Sequence, residues 1–437
     1  MLNPDQEKAL TFTKAWWFSD HQCMILDGKG GTGKSFLEEE IIKSINTKPL
    51  LICPTHEALK QSREKITSLD DEFFKTAHSA LGIAPIEDEK DLKFEQLKLP
   101  SIWNDINLVI ADEASMYHKT IHDMLVKTGT KILFVGHKSQ LSPVSVKRKV
   151  FDKCVSPVFE QGYPTTTLTI PQRNTGKLWE FNNLLDDAIY EERNIQPPTW
   201  FDIQKKDLGE YVNTKGKDEI FAGITKIVLW TNNGVDAYND RVRKVIFGEQ
   251  AKERKYLPGD KIILTNPYTF IHSLERHTDS SLKKLINNKD SLDYFYSNAK
   301  AEVISCEEKL VKLNNVLSIP VYKINVNCEG TLACFYEPVY HADHDRISQF
   351  YEHIAWGFKD QARKGRAFRE RNLIRSCFAH VKFFYAATAH RLQGSTIDKV
   401  IVINSDIEKN PNAIERRKCR YVACSRAKDE LMFYRGL

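Results

Sequence analysis

Residues 23–45 read CMILDGKGGTGKSFLEEEIIKSI. A short apolar run, a glycine-rich loop and a stretch with apolar residues at helical spacing follow one another directly. That order constrains the fold more than any other feature of the chain. A buried strand that turns through G-x-x-x-x-G-K-S, here Gly28 to Ser35, into a helix makes a nest of backbone N–H groups. Such a nest, at a helix N-terminus, holds phosphate oxygens. Gly28, Gly30, Gly31 and Gly33, with Thr32 among them, let the main chain approach the phosphates closely. Lys34 is placed to reach the β- and γ-phosphates and Ser35 to ligate magnesium.

Two later apolar runs have the same form. INLVIADEAS ends at Asp112 and Glu113. A carboxylate at the tip of a buried strand holds the water shell of magnesium, and the next one polarises an attacking water. Asp112 is therefore assigned to the metal and Glu113 to the general base. KILFVGHKSQLSPV ends in Gly136, His137 and Gln140. A glutamine there can sense a γ-phosphate; taken alone, the segment reads equally well as a polar turn.

The rest of the composition sets limits. A chain of 437 residues corresponds to about three domains. Its 41% hydrophobic and 28% charged content is that of a globular protein. The start, MLNPDQEKAL, lacks the basic-then-apolar pattern of a leader, and no apolar run approaches the roughly 18 residues of a membrane span. The expectation is a cytoplasmic protein with no membrane partner. Nine cysteines are scattered without a C-x-x-C pair, which fits reduced thiols and speaks against a zinc site. The net charge of +5 is uneven: residues 359–375, KDQARKGRAFRERNLIR, carry seven Lys/Arg against two Asp/Glu, so the remainder sums to zero. Two readings stand for this run, a solvated helix face and a basic arm on a nucleic-acid backbone.

Read from Lys29, the loop is K-G-G-T-G-K-S and resembles that of dimerising partition ATPases, in which an extra lysine enters the partner's site. The order of the other segments resembles something else. P-loop, PTH, TAH, DEAS and GHKSQ follow one another as in the first RecA-like domain of a superfamily-one DNA helicase. TLTIPQRN holds Arg173, and TAHRLQGSTIDKVIV, with Thr388, His390, Gln393, Gly394 and Ser395, looks like motif V. RYVACSRAKDEL looks like motif VI with Arg426 as the arginine finger, and NPDQEKAL matches the Q motif, in which Gln6 would bind adenine. The chain is similar to the RecD-like branch, superfamily 1B, which includes phage enzymes. The resemblance covers nearly the whole length, more loosely over about 256–376.

That resemblance implies two RecA-like P-loop domains, ATP and magnesium, and 5′→3′ unwinding by a monomer, in DNA replication or recombination. Single-stranded DNA and duplex junctions are the implied partners, with a single-strand-binding or replication protein as a further one. It gives Arg173 and Arg426 to the γ-phosphate in cis. Thr55, His56, Thr76, His78, Thr388 and His390 fall where the family binds the single-strand backbone, through contacts that read no sequence. Asn232, beside Trp230 and Thr231, falls at a base or backbone contact in the second motor domain, although Trp230 lies in an apolar strand and suits a core equally. The implied domains are 1–78 with 106–160, and 161–255 with 377–437. A β-hairpin pin occupies 79–105, with Phe94 near the junction. An SH3-like β-barrel with a basic helical extension occupies 256–376. One departure stands out: His137 occupies the place of the family's motif III aspartate.

Overall fold

The computed structural model describes residues 2–87, 92–96, 99–142, 155–172, 176–198, 202–203, 205–271, 273–276, 293–313 and 316–434. They form two compact units, Met1–Val235 with Ala387–Leu437, and Asp236–Ala386.

The first unit opens on helix α1 (Pro4–Trp17), started by a reciprocal cap. The Asn3 side chain accepts from the Gln6 N–H at 2.9 Å, and the Gln6 side chain accepts from the Asn3 N–H at 3.0 Å. Strand β1 (Cys23–Gly28) and helix α2 (Lys34–Ile45) flank the glycine loop. Next come β2 (Leu50–Cys53), α3 (His56–Lys65), β3 (Phe74–Thr76) and the short α4 (Ala77–Ala80). An antiparallel hairpin of β4 (Ile83–Glu87) and β5 (Leu92–Gln96) interrupts the alternation, with Phe94 opposite Pro85. The pattern resumes with β6 (Leu108–Ala111), α5 (Lys119–Val126), β7 (Lys131–Gly136) and β8 (Thr165–Leu168).

The first sheet has the order β3-β2-β6-β7-β1-β8, and every pairing in it is parallel. Parallel strands covered on both faces read as continuous apolar runs, which is why LLIC and LVIA are buried throughout. Alternate residues serve opposite faces. Leu26, Leu51 and Ile110 enter one core with Leu37 and Ile41, while Ile25, Ile52 and Val109 enter the other with Ile121 and Leu125. Because β8 pairs with β1, the first sheet runs past the boundary expected at 160.

Helix α6 (Gly176–Tyr190) leads to the second sheet, which contains β9 (Asp202–Ile203) and β10 (Thr225–Leu229). Helix α7 (Asn232–Phe247) then carries the chain into the other unit. There β11 (Lys261–Leu264) pairs with β14 (Lys300–Leu313), and β12 (Tyr268–Phe270) pairs with β13 (Asp293–Phe295). Strands β15 (Leu317–Cys328) and β16 (Thr331–Pro338) extend a meander from β14. Helices α8 (Ala342–Trp356) and α9 (Gln361–Ser376) follow, and β17 (Val381–Phe383) closes an antiparallel sheet of order β16-β15-β14-β11-β17. The insertion expected at 256–376 is thus wider at both ends. Asn239 of α7 donates to Phe383 O at 2.8 Å and accepts from the Tyr385 N–H at 2.9 Å, so these flanks belong to this unit.

The chain returns to the second sheet through β18 (Ala386–Thr388), β19 (Ile397–Ile403), α10 (Ala413–Ser425) and β20 (Ala427–Tyr434). Its order is β18-β10-β19-β20-β9, with β10, β19, β20 and β9 parallel. Among the described residues, no helix is long and apolar enough to cross a membrane.

Candidate active site

Ligands of open parallel sheets sit beyond the carboxyl ends of the strands, and the singled-out residues of the first sheet lie there. The glycine loop follows β1, Thr55 and His56 follow β2, and Thr76 and His78 end or follow β3. Asp112 and Glu113 follow β6, and His137 and Gln140 follow β7. Gly30, Gly31, Gly33, Lys34, Ser35, Asp112, Glu113 and Gln140 all line one cleft, and Gly394 and Arg426 of the second sheet's segments line it too.

Gly31 and Gly33 have φ of 88° and 84°, a region that only glycine enters without strain. Gly33 is also crowded: a Cβ there would lie 2.6 Å from Gln6 Nε2. Gln6 is buried against the loop, its amide 3.5 Å from Gly33 O. Gly28 is tight against Thr32, whose hydroxyl would lie 2.7 Å from a Cβ. Lys34 turns back on the loop and donates to Gly28 O at 2.5 Å and Lys29 O at 3.1 Å. Burial lowers its pKa, and Glu113 and Asp112 act against that shift.

Asp112 is held at both oxygens, by the Glu113 N–H at 2.7 Å and the Ser62 hydroxyl at 3.1 Å. Burial, then the charge of Glu113, pushes its pKa up to about 6. Beside it Glu38 of α2 is fully buried, and neither carboxylate oxygen has a hydrogen-bond partner. Its pKa is driven well up by burial and by Asp112. Asp112, Glu113 and Ser35 line the same cleft, and their oxygens are a donor set that suits magnesium. Sequence reasoning passed over Glu38. Its one signal was a charge among Leu37, Ile41 and Ile42 on the buried face of α2.

Glu113 has φ 53°, ψ 47°. A left-handed non-glycine residue stores strain of about 1–3 kcal/mol, and such outliers cluster at functional sites. Gln393 donates from Nε2 to Glu113 Oε2 at 3.2 Å and to the Ser115 hydroxyl at 3.2 Å. Arg426 is buried and held by Val422 O at 3.2 Å, Ser395 O at 3.2 Å and the Ser425 hydroxyl at 3.0 Å. Its Nη2 would lie 3.3 Å from a Cβ on Gly30, so the guanidinium abuts the phosphate loop. Arg173 lies outside the described residues.

Lys29 does not enter the cleft. Its ammonium pairs with Asp186 of α6 at 2.9 Å and donates to Asn183 Oδ1 at 2.9 Å.

The residues expected on DNA form a second group. Thr55 and Thr76 cap α3 and α4, accepting from Ala58 N at 3.2 Å and Ser79 N at 3.3 Å. His56 and His78 follow on adjacent strands, and burial lowers both pKa values. A neutral imidazole meets a phosphate as a hydrogen-bond partner, not as a fixed charge. Thr388 accepts from the Arg391 N–H at 3.3 Å, and His390 lies 3.5 Å from Glu415 of α10. Donor atoms of His390, Glu415 and Cys419 come within 4.8 Å of one another, but His390, Asn410 and Trp230 already hydrogen-bond Glu415. Asn232 is exposed at the start of α7, and Trp230 is half-buried beside it. The Trp230 N–H donates to Asp406 at 2.9 Å. Phe94 lies on β5 of the hairpin.

The PIF1-like helicase family matches residues 1–179, and the UvrD-like helicase C-terminal domain matches residues 383–434. An uncharacterised protein of Acanthamoeba polyphaga mimivirus is 25% identical, with 99% of each chain covered. The ATP-dependent DNA helicase dda of Enterobacteria phage T4 is 24% identical, with 86% of each chain covered. The fold is shared with Pif1 helicase from Bacteroides solved with ADP-AlF3 and single-stranded DNA. Its TM-score is 0.53 at 15% identity, over 100% of this chain and 92% of that one.

Proposed function

Because the chain belongs to the superfamily 1B helicases, PIF1-like in its first 179 residues, we propose that it is an ATP-dependent DNA helicase. In this reading it moves 5′→3′ along single-stranded DNA as a monomer and separates duplex DNA ahead of it.

The observation that carries the proposal is the composition of the cleft. Lys34, Ser35, Asp112 and Glu113 come from the first sheet, and Gln393 and Arg426 come from segments of the second, all in one chain. ATP takes the loop, with Gln6 at the base. Ser35 and Asp112 hold magnesium, which neutralises phosphate charge when bound. Glu113 accepts the proton of the attacking water, and Gln393 holds the Glu113 carboxylate in line. Arg426, with Arg173, places positive charge on the γ-phosphate as charge develops in transfer. Gln140 senses the same phosphate. Motif V then joins the two surfaces, since Gln393 on the nucleotide side is three residues from His390 on the DNA side. Thr55, His56, Thr76, His78, Thr388 and Asn232 grip the strand backbone, and the β4–β5 hairpin with Phe94 is the wedge.

The dimerising-switch alternative needs Lys29 free to enter a partner's site, whereas here it is tied to Asp186 and Asn183. Single-turnover unwinding of 5′-tailed and 3′-tailed duplexes tests the proposal. Separation of the 5′-tailed substrate alone is expected. DNA-stimulated ATPase without separation of either substrate would leave a translocase that does not unwind.

A further inference from the structure

His137, which occupies the position of the family's motif III aspartate, is buried between two carboxylates. Its Nδ1 lies 2.8 Å from Asp27 Oδ1, at the end of β1, and its Nε2 lies 3.1 Å from Asp186 Oδ1, on α6. The side chain is only 5% exposed. A neutral imidazole has one N–H and cannot donate to both acids; the doubly protonated ring can. The second oxygen of Asp186 is taken by Lys29 at 2.9 Å. With the ring doubly protonated, Asp27, His137, Asp186 and Lys29 make a chain of alternating charge, running from the phosphate loop to the last strand before Gln140 and on to α6.

We propose that His137 is a positioning residue: as an imidazolium it straps the phosphate loop and the end of β7 to α6, and so holds the cleft closed on nucleotide. This rests on the helicase reading only in that the cleft takes a nucleotide. The neighbourhood supports a clamp. From α10 the Tyr421 ring lies 6.3 Å from His137, and its hydroxyl receives the Gly30 N–H. Lys418 of α10 donates to Lys138 O at 2.8 Å, and the Lys138 ammonium lies 4.3 Å from the ring centre of Tyr190, on α6. Asp187 stands farther out, 4.0 Å from Lys29. The cations facing the strap are thus Lys29, Lys138 and Lys34, whose charge acts on Asp27, with Lys418 turned to a carbonyl, and the acids nearest His137 are Asp27 and Asp186.

Opening the cleft would part α6 from the loop and strand His137 with one acid and Asp186 with none of its cations. The sign of the pH dependence follows. Burial opposes protonation of His137, but Asp186 and then Asp27 outweigh it and raise its pKa. A group whose pKa is raised on closure contributes fully below its ordinary value of about 6.5 and loses that contribution as pH climbs through the raised one. Nucleotide affinity should therefore fall with rising pH because of this residue.

The test is binding of a fluorescent ADP analogue with magnesium, without DNA, from about pH 6 to about pH 9. His137→Asn and Asp186→Asn should each weaken binding roughly tenfold at the acid end, a usual size for coupling between two sites. The double variant should bind no worse than either single one, since each breaks the same strap. His137→Asn should also remove the decline at higher pH. A wild-type slope retained in His137→Asn, or losses that add in the double variant, would overturn the strap. If His137→Asn does not fold, Asp186→Asn carries the same pH comparison. Failure of unwinding would leave this binding result intact, so the two proposals fall separately.

Discussion

At the scale of single residues, chemistry in the cleft depends on groups held off their easiest conformations. Glu113 sits at positive φ with its carboxylate aimed at Gln393. Glu113→Gln should leave nucleotide bound and lower kcat by about 10²–10⁴, the range of general-base catalysis; near-normal DNA-stimulated ATPase in this variant would refute the assignment. Gln393→Ala keeps the base but frees it, so kcat should drop with KM for ATP nearly unchanged. The converse, a raised KM at constant kcat, would make Gln393 a binding residue. Gly136 illustrates a purely structural demand. A Cβ there would lie 2.8 Å from Ala114 N and 2.9 Å from Ala114 Cβ. Gly136→Ala should cost about 1–3 kcal/mol of stability by overpacking, seen as a lowered melting temperature.

At the scale of elements, legibility followed burial. Strands β1, β6 and β7 were plain in the sequence because buried parallel strands are apolar throughout and end in their reactive residues. Strand β8, TTTL, was not: it is an edge strand with alternating burial and three threonines, so its periodicity signals nothing of a sheet interior. The strap was half legible. His137 stood out as a departure, but the loop residues Asp27 and Lys29, His137 and Asp186 lie in three widely separated segments and are joined only by packing. The basic run proved to be mostly α9, where Arg363 and Arg366 are exposed while Arg371 is buried on Glu352 at 2.6 Å. Lys364 is partly committed as well, 3.3 Å above the Trp356 ring. Neutralising Arg363, Lys364 and Arg366 should weaken single-strand binding and flatten its log–log salt slope by up to about 2, at roughly 0.7 per phosphate contact. An unchanged slope would reduce α9 to a solvated helix. Phe94→Ala, on the acidic hairpin, should slow strand separation and spare DNA-stimulated ATPase; unwinding at the wild-type rate would move the wedge elsewhere.

At the scale of the molecule, the question raised by the loop K-G-G-T-G-K-S is whether one chain or two complete the site. Lys29 is bound to α6 of its own chain, and Arg426 abuts Gly30 across a span of 396 residues of that chain. A finger that acts on transition-state charge is worth about 10³–10⁵ in rate, so Arg426→Ala should nearly abolish turnover while nucleotide still binds. Lys34→Ala should abolish it too, through loss of the charge that meets the β- and γ-phosphates. Each variant retains what the other lacks. In a shared site, mixing them would assemble one intact site per dimer and restore a substantial fraction of the ATPase. In a site closed by a single chain, no pairing of subunits brings a working Arg426 to a working Lys34. The expected result is that the mixture stays as inactive as its parts at any ratio. Wild-type ATPase per chain should likewise be constant as the protein is diluted with single-stranded DNA in excess. Recovery on mixing, or activity that falls steeply on dilution, would place the arginine in a partner's cleft and return the chain to the class of dimerising switches.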